Sequence, residues 1–218
     1  MELKGKIINF LGDSITEGIG ASSKEAVYHG ILKKRCGLKD VFNYGIGGTR
    51  IARQTEITSL LRDRDFILRA EMMDRNADAV VVFGGTNDFG NGQAPLGTIE
   101  DRDKRTFYGA LHTLITNLIT DYCGKTVVFM TPLHRFNEDG RGAWKPDGVV
   151  QHPLKDYVDA IKEVCEYYSV PVLDLYACKE LAGNTPEWYA EYMPDGVHPS
   201  DKGHEIIANN LEIFLKNL

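Results

Sequence analysis

This chain predicts an α/β fold, a parallel sheet with helices on both faces, and three observations carry that expectation. Short apolar runs rich in β-branched residues recur at 6–11, 41–43, 79–83, 126–131 and 170–175. Each is nearly continuous rather than alternating, as in strands buried on both faces. Between the runs, apolar residues repeat at three and four, the spacing of one helix face. The length, 218 residues with 43% apolar and 26% charged residues, suits one generous domain over 1–218 with a single core.

In chain order, the run at 6–11 leads into Gly12-Asp13-Ser14, and Tyr28, Ile31, Leu32 and Cys36 predict a helix behind it. The run at 41–43 ends in Asn43-Tyr44-Gly45-Ile46-Gly47-Gly48, and the run at 79–83 ends in Gly84-Gly85-Thr86-Asn87-Asp88. A helix is predicted through Phe107, Leu111, Leu114, Ile115, Leu118, Ile119 and Tyr122. A second passes through Tyr157, Ile161, Val164, Cys165 and Tyr168, and a last one through Ile207, Leu211, Phe214, Leu215 and Leu218. Strand and helix in alternation imply right-handed crossovers and parallel strands. Gly/Pro-punctuated loops are expected at 84–97 and 132–149, and an irregular stretch at 184–199. No linker, repeat or low-complexity tract divides the chain.

Several function classes are disfavoured. Lys+Arg 25 against Asp+Glu 31 leaves a net charge of −6, which argues against a basic nucleic-acid-coating surface. No apolar run approaches the ~20 residues of a membrane span. The apolar stretch at 7–11 is too short for a signal-peptide core. Cys36, Cys123, Cys165 and Cys178 form no C-x-x-C pair and have no His at zinc-finger spacing. They are expected as buried small hydrophobes in a reducing compartment, and the expected location is cytoplasmic.

In a parallel α/β sheet, ligands gather where strand C-termini open into loops. The unusual residues of this chain all follow strands. Ser14, on a sharp strand-to-helix turn, has the exposure a nucleophile needs, although alone it reads equally as a helix cap. Asp195-Gly196-Val197-His198-Pro199 places an Asp three residues before a His across a Gly-containing turn. That carboxylate can hold Nδ1–H and leave Nε2 to take a proton from a hydroxyl. Pro199 is expected to start the last helix. Of the six His residues, His198 is read as the one so held; His112 reads as a packing residue and His204 as first-turn. Spacing assigns no role to His29, His134 or His152. Hydrolysis through serine also needs donors for a developing oxyanion. Gly48 offers a backbone N–H and Asn87 a side-chain NH₂, although a glycine turn and an Asx-turn are the plainer readings of each taken singly.

Other nucleotide and hydrolase patterns fail. Thr16 stands where G-x-S-x-G requires its last Gly, Ile119 where a P-loop ending Gly124-Lys125-Thr126 requires its first, and Arg50 where a Rossmann pattern after Gly45-x-Gly47 requires its third.

Taken together, the blocks closely resemble the SGNH hydrolases, the GDSL-type esterases and lipases. Gly12-Asp13-Ser14-Ile15 matches that family's first block, Asn43-x-Gly45-x-x-Gly48 its second, Gly84-Gly85-Thr86-Asn87-Asp88 its third and Asp195-x-x-His198 its fifth. The blocks run in family order from residue 12 to residue 198, nearly the whole chain. The resemblance implies a flavodoxin-like three-layer α/β/α sandwich with a five-stranded parallel sheet. It implies a cofactor- and metal-independent acyl-ester hydrolase, with Ser14 as nucleophile, His198 as base and Asp195 as acid. The oxyanion hole would be Ser14, Gly48 and Asn87. Gly47-Gly48 stands where Ser-Gly or similar is common, so the amide that faces the oxyanion is that of Gly47 or of Gly48. Asp13 and Thr86 are expected to support the loops.

The expected partner is a small-molecule ester, with no nucleic acid and no membrane. Phe89, His134, Arg135, Trp144, Trp188, Tyr189 and Tyr192 are expected around the site, a mixture that suits a sugar face or a small aromatic ester. Short-acyl esters such as acetylated sugars are therefore the expected substrates. Lysophospholipase or thioesterase activity is the alternative within the class, and a non-catalytic binding domain the alternative outside it.

Overall fold

The structure, a computed structural model, describes residues 1–55, 64–140, 149–183 and 185–218. Five parallel strands, β1 (Ile7–Gly12), β2 (Asp40–Gly45), β3 (Ala79–Phe83), β4 (Thr126–Met130) and β5 (Val172–Leu173), lie in the order β2-β1-β3-β4-β5. The chain winds outward from β1 to β2, then returns past β1 to β3. Adjacent loops consequently part between β1 and β3, the switch point at which such sheets bind ligands. Register places Gly12 beside Gly45 on one side and beside Phe83 on the other, so three strand ends come level.

Alternation along the strands divides the interior into two layers of packing. Leu11, Val80, Val82 and Phe129 face helices α3 (Phe66–Ala70), α5 (Phe107–Asp121) and α6 (Leu154–Tyr167), through Phe66, Leu111, Ile115 and Ile161. Ile8, Phe10, Val81 and Val128 face α2 (Tyr28–Cys36) and α8 (Asp201–Lys216), through Leu32, Ile207 and Leu211. The result is three layers, helix on sheet on helix. Asn9, buried among apolar neighbours, is tolerated because its amide donates to the Asp74 carbonyl and the Tyr122 hydroxyl, both at 2.8 Å.

Several elements differ from the sequence expectation. The runs at 41–43 and 170–175 are edge strands, not strands buried on both faces. β2 is half-buried with Asn43 exposed, and β5 keeps two residues. β5 stops because the Asp174 carboxylate turns the chain, accepting from Thr131 Oγ1 at 3.0 Å and the Ala177 amide at 3.2 Å. The loop at 84–97 contains α4 (Thr86–Gly90), and the stretch at 184–199 contains α7 (Pro186–Tyr192). Thr185 caps α7 by accepting from the Trp188 amide, with Pro186 in its first turn. The last helix starts after Pro199, because Ser200 takes the cap position and accepts from the Gly203 amide.

The cysteines also differ: Cys165 is buried, Cys36 and Cys178 are half-buried, and Cys123 is exposed, all as free thiols. No helix among the described residues is long and apolar enough to cross a membrane.

Candidate active site

Ser14 is delivered by the end of β1. A side chain at Gly12 would put its Cβ 1.9 Å from Thr16 Oγ1, so glycine here lets the short helix α1 (Ser14–Glu17) fold directly over the strand end. Asp13 caps that helix, its Oδ1 accepting from the Ile15 amide at 3.0 Å. Burial pushes the Asp13 carboxyl up to about 6, against the Ile15 amide and the Arg69 charge, which pull it down. Ser14 is therefore a first-turn residue, 8% exposed, whose own N–H is one of the donors a helix start leaves unused.

The second strand end is cross-braced to the first. Gly47 donates its N–H to Glu17 Oε2 at 2.7 Å, and the Ile46 amide donates to the Gly12 carbonyl at 3.2 Å. The Gly48 amide, one residue on, donates to no described residue. Behind both turns sits Arg69, on α3 and almost fully buried. Its Nη1 donates to the carbonyls of Gly12, at 2.8 Å, and Tyr44, and its Nη2 to Thr49 Oγ1 at 2.8 Å. Burial lowers this guanidinium to about 10, while Asp13, Asp65 and Glu17 favour its charge.

From β3, α4 brings Asn87, buried, with Nδ2 donating to the Thr49 carbonyl at 3.2 Å and Oδ1 accepting from Asn91 at 3.1 Å. Next to it the Asp88 carboxylate accepts from the Ile51 and Ala52 amides at 3.0 and 2.8 Å, pinning the segment after Gly48 to α4. Thr86 accepts from Arg135 Nη1 at its carbonyl and its hydroxyl, at 3.1 and 3.0 Å.

The turn after α7 supplies the remaining pair. Asp195 Oδ1 accepts from the amides of Val197 and His198 at 2.9 and 2.7 Å, and Oδ2 lies 2.6 Å from His198 Nδ1. His198 Nε2 lies 2.8 Å from Ser14 Oγ, a contact spanning 184 residues of chain. Gly196 has φ of +75°, a left-handed conformation that favours glycine. The Phe136 ring lies where a Cβ would project, 2.0 Å from its ideal position, and the Phe136 amide donates to the Gly196 carbonyl at 2.9 Å. The Asp195 side chain is 56% exposed and that of His198 21%. Burial raises the Asp195 carboxyl, but the hydrogen bonds from His198 and Val197 outweigh it and hold the group below its ordinary range.

Ser14, His198, Gly48 and Asn87 thus line one cleft of about 610 Å³ at the switch point of the sheet, with Asp195 behind His198. Of the residues expected to surround it, Arg135 is in the wall. Phe89 is buried beneath, edge-on to Tyr157. His134 bonds Glu138 and stacks on Tyr176. Trp188, Tyr189 and Tyr192 pack on one another along α7, where Tyr189 meets Phe136. Trp144 lies outside the described residues. Phe89, Trp188, Tyr189 and Tyr192 face other rings because an indole or phenyl ring near a loop buries more area against its own fold than against water in an open cleft. His112 and His204 are buried packing residues, and His29 is buried against the Thr16 carbonyl. His152 pairs with Asp156.

Sequence reasoning missed Glu17, Arg50 and Arg69. Glu17 had a local signal, three residues after Ser14. Arg69 had none, because the turn atoms that it holds are 57, 25 and 20 residues away. Among the described residues, no group of three or more His, Cys, Asp or Glu is arranged to hold a metal ion.

The family model for the GDSL-like lipase/acylhydrolase family matches residues 10–206. No curated protein matches the chain. Among solved structures, a protein from Lactobacillus plantarum is 33% identical, with a TM-score of 0.80 over 99% of this chain and 98% of its own. The lipase/acylhydrolase from Enterococcus faecalis is 21% identical, with a TM-score of 0.64 over 97% and 96%. The acetyl xylan esterase AlAXEase is 22% identical, with a TM-score of 0.61 over 94% and 97%.

Proposed function

The chain belongs to the GDSL-like lipase/acylhydrolase family and is a carboxylic ester hydrolase, and we propose that it cleaves short-acyl esters with Ser14 as nucleophile, His198 as base and Asp195 as the acid that holds the imidazole. The observation that carries this reading is the unbroken relay from Asp195 Oδ2 to His198 at 2.6 Å and from His198 to Ser14 Oγ at 2.8 Å.

Ser14 Oγ attacks the ester carbonyl carbon as its proton passes to His198 Nε2. The carbonyl oxygen becomes an oxyanion and accepts from the Ser14 N–H, the Gly48 N–H and the Asn87 amide. Gly48 takes this role in preference to Gly47, whose N–H is held by Glu17. The bond to the alcohol then breaks, and His198 returns its proton to the departing oxygen. Water next gives a proton to His198, adds to the acyl-enzyme, and releases the carboxylic acid as Ser14 recovers its hydrogen. Asp13 and Thr86 support this by capping α1 and by holding Arg135.

The short-acyl preference rests on the cleft. Ile19 and Val197 are the aliphatic side chains in its described wall, too little for a long hydrocarbon chain. Acetylated sugars fit this polar lining, and the fold shared with an acetyl xylan esterase is in keeping with them. The free thiols suit a reducing compartment, and a cytoplasmic location is proposed on that ground.

The test is hydrolysis of 4-nitrophenyl esters from C2 to C12, with acetylated xylose and a lysophospholipid beside them. Activity should peak at C2–C4, and a fluorophosphonate should add once, at Ser14. Ser14→Ala should lower kcat about 10⁴-fold or more. Undiminished turnover in that variant would end the mechanism.

A further inference from the structure

The cleft carries positive charge that the proposed acyl transfer leaves unused. The chain as a whole bears a net −6, yet two arginines, Arg50 and Arg135, line this cleft. The acidic side chain in the same wall, Glu17, is already committed to the Gly47 N–H. Arg50 donates to the Gly48 carbonyl at 3.1 Å and so belongs to the oxyanion loop.

Arg135 is different. Its Nη1 is anchored on Thr86, at 3.1 and 3.0 Å, and its guanidinium lies over the Phe89 ring, 5.5 Å from the centroid. The fork is therefore fixed in direction. Of its other nitrogens, Nε is buried without a hydrogen-bond partner and Nη2 donates to no described residue, while the charges of Asp13, Asp195 and Glu138 favour the cation without supplying those donors with acceptors. A desolvated guanidinium with unmet donors is costly unless a ligand supplies acceptors, and its planar fork matches a carboxylate or phosphate. Its position along the cleft is set by the next residue. Phe136 is hydrogen-bonded to Gly196 and packed on it, within the turn that carries His198. Arg135 thus spans the cleft: its main chain adjoins the His198 turn, where the alcohol receives its proton and departs, and its guanidinium crosses to α4 at Thr86 and Phe89, with the Asp195 charge acting on it from the turn.

We infer that Arg135 is a specificity-determining residue that binds an anionic group, carboxylate or phosphate, on the alcohol portion of the ester. The inference rests on the proposed Ser14 chemistry and narrows its substrate to short-acyl esters of acidic alcohols, such as O-acetyl esters of sugar acids or of sugar phosphates. The bond broken is still the acyl ester. The anion is a handle, gripped by the arginine while His198 protonates the neighbouring oxygen.

The test compares kcat/KM for 4-acetoxybenzoate with that for its neutral near-isostere 4-acetoxybenzamide, in the native protein, in Arg135→Gln and in Arg135→Lys. 4-Acetoxyphenyl phosphate separates a phosphate preference from a carboxylate one, and mono-4-nitrophenyl succinate carries its anion on the acyl side. The quantity read is the anion-to-neutral ratio within each protein, so any loss from disturbing Thr86 divides out. Removal of the charge should lower that ratio about 10–100-fold in Arg135→Gln, the usual range for a charge-assisted contact. Arg135→Lys should retain part of the preference, and added salt should erode it in the native protein. A ratio that is the same in Arg135→Gln as in the native protein overturns the inference, and so does a loss confined to the succinate ester. Failure of the native protein to hydrolyse 4-nitrophenyl acetate is a separate result, which would sink the Ser14 mechanism instead.

Discussion

The two flanks of the cleft are built by opposite means. The Ser14–Gly48–Asn87 flank is interior: its side chains are buried, its turns lean on one another, and a buried arginine bonds the carbonyls that precede two of them. The Asp195–His198 flank is a surface turn, held by its own amides, a left-handed glycine and the Phe136 ring. Oxyanion donors must already be aimed when charge develops, and buried turns that brace each other keep that aim without reorganisation. An imidazole that exchanges protons with water and alcohol needs access, and the half-exposed turn gives it. A substitution on the first flank should therefore reach stability and activity together, and one on the second should reach activity almost alone.

The sharpest way to break that contrast is Asp195→Asn. The exposed amide can still accept from Val197 and His198, so folding should be preserved. It no longer fixes Nδ1–H, and loss of the right tautomer lowers kcat by about 10³–10⁴-fold in enzymes of this design. The expected result is that loss with at most a slight drop in the thermal midpoint, the small stability that a depressed but half-exposed carboxylate contributes. A midpoint several degrees lower would show the turn to be structural, and the contrast would fail.

Legibility from sequence follows the same division. The Asp195–His198 turn and the Ser14 turn are local, each written in four or five consecutive residues, so spacing reveals them. The strand ends at Gly12, Gly45 and Phe83 could be placed on one edge of the sheet because parallel strands force it. The short helix α4 was not readable, since five residues are too few for any period to register, and the run at 170–175 marked β5 without showing that the strand keeps only two residues. α7 was readable from Thr185-Pro186, a cap followed by a first-turn proline, but apolar periodicity hid it behind a loop reading. The aromatic residues misled, because a loop sequence shows that a ring is near a site and not which way it faces. Arg69 was invisible, since the Gly12, Tyr44 and Thr49 atoms that it holds lie 57, 25 and 20 residues away and no local spacing points to them.

Arg69→Met tests the interior flank and should have a smaller effect on activity than Asp195→Asn. The Gly12 carbonyl keeps the Ile46 amide, but the Tyr44 carbonyl and Thr49 Oγ1 lose the guanidinium, and such a buried loss costs about 1–3 kcal/mol each. Stability should fall by about 2–4 kcal/mol, measured by denaturant unfolding. In the folded fraction kcat should fall about 10-fold with KM little changed, because the oxyanion donors lose aim. Arg69→Lys, which restores one charged donor, should recover part of both. Full activity in a destabilised Arg69→Met would confine the residue to the fold.

The smallest effect on catalysis, and one on stability alone, is expected at His204, on α8 behind the Ser14 turn. The ring is buried and stacked against Tyr28, its Nδ1 accepts from the Tyr28 amide at 3.4 Å, and its Nε2 is buried without a partner. Burial lowers it to about 4, with the neighbouring His29 and His198 adding to the shift and Asp201 opposing it. Between the ordinary histidine value of 6.5 and about 4, the unfolded chain binds a proton that the folded chain refuses. Stability therefore rises with pH across that window and is lost as pH falls through it, by about 3 kcal/mol in all. His29, also lowered by burial, adds to the acid loss, whereas Asp13, raised to about 6, works against it by taking a proton more readily when folded. His204→Gln keeps an acceptor for the Tyr28 amide and removes the titration. Unfolding free energies measured from pH 7 to pH 4 should fall less steeply in that variant than in the native protein, with kcat at pH 7 nearly unchanged. Parallel slopes in the two proteins would show that His204 is not the group that titrates, and the acid sensitivity of the buried flank would have to lie in His29.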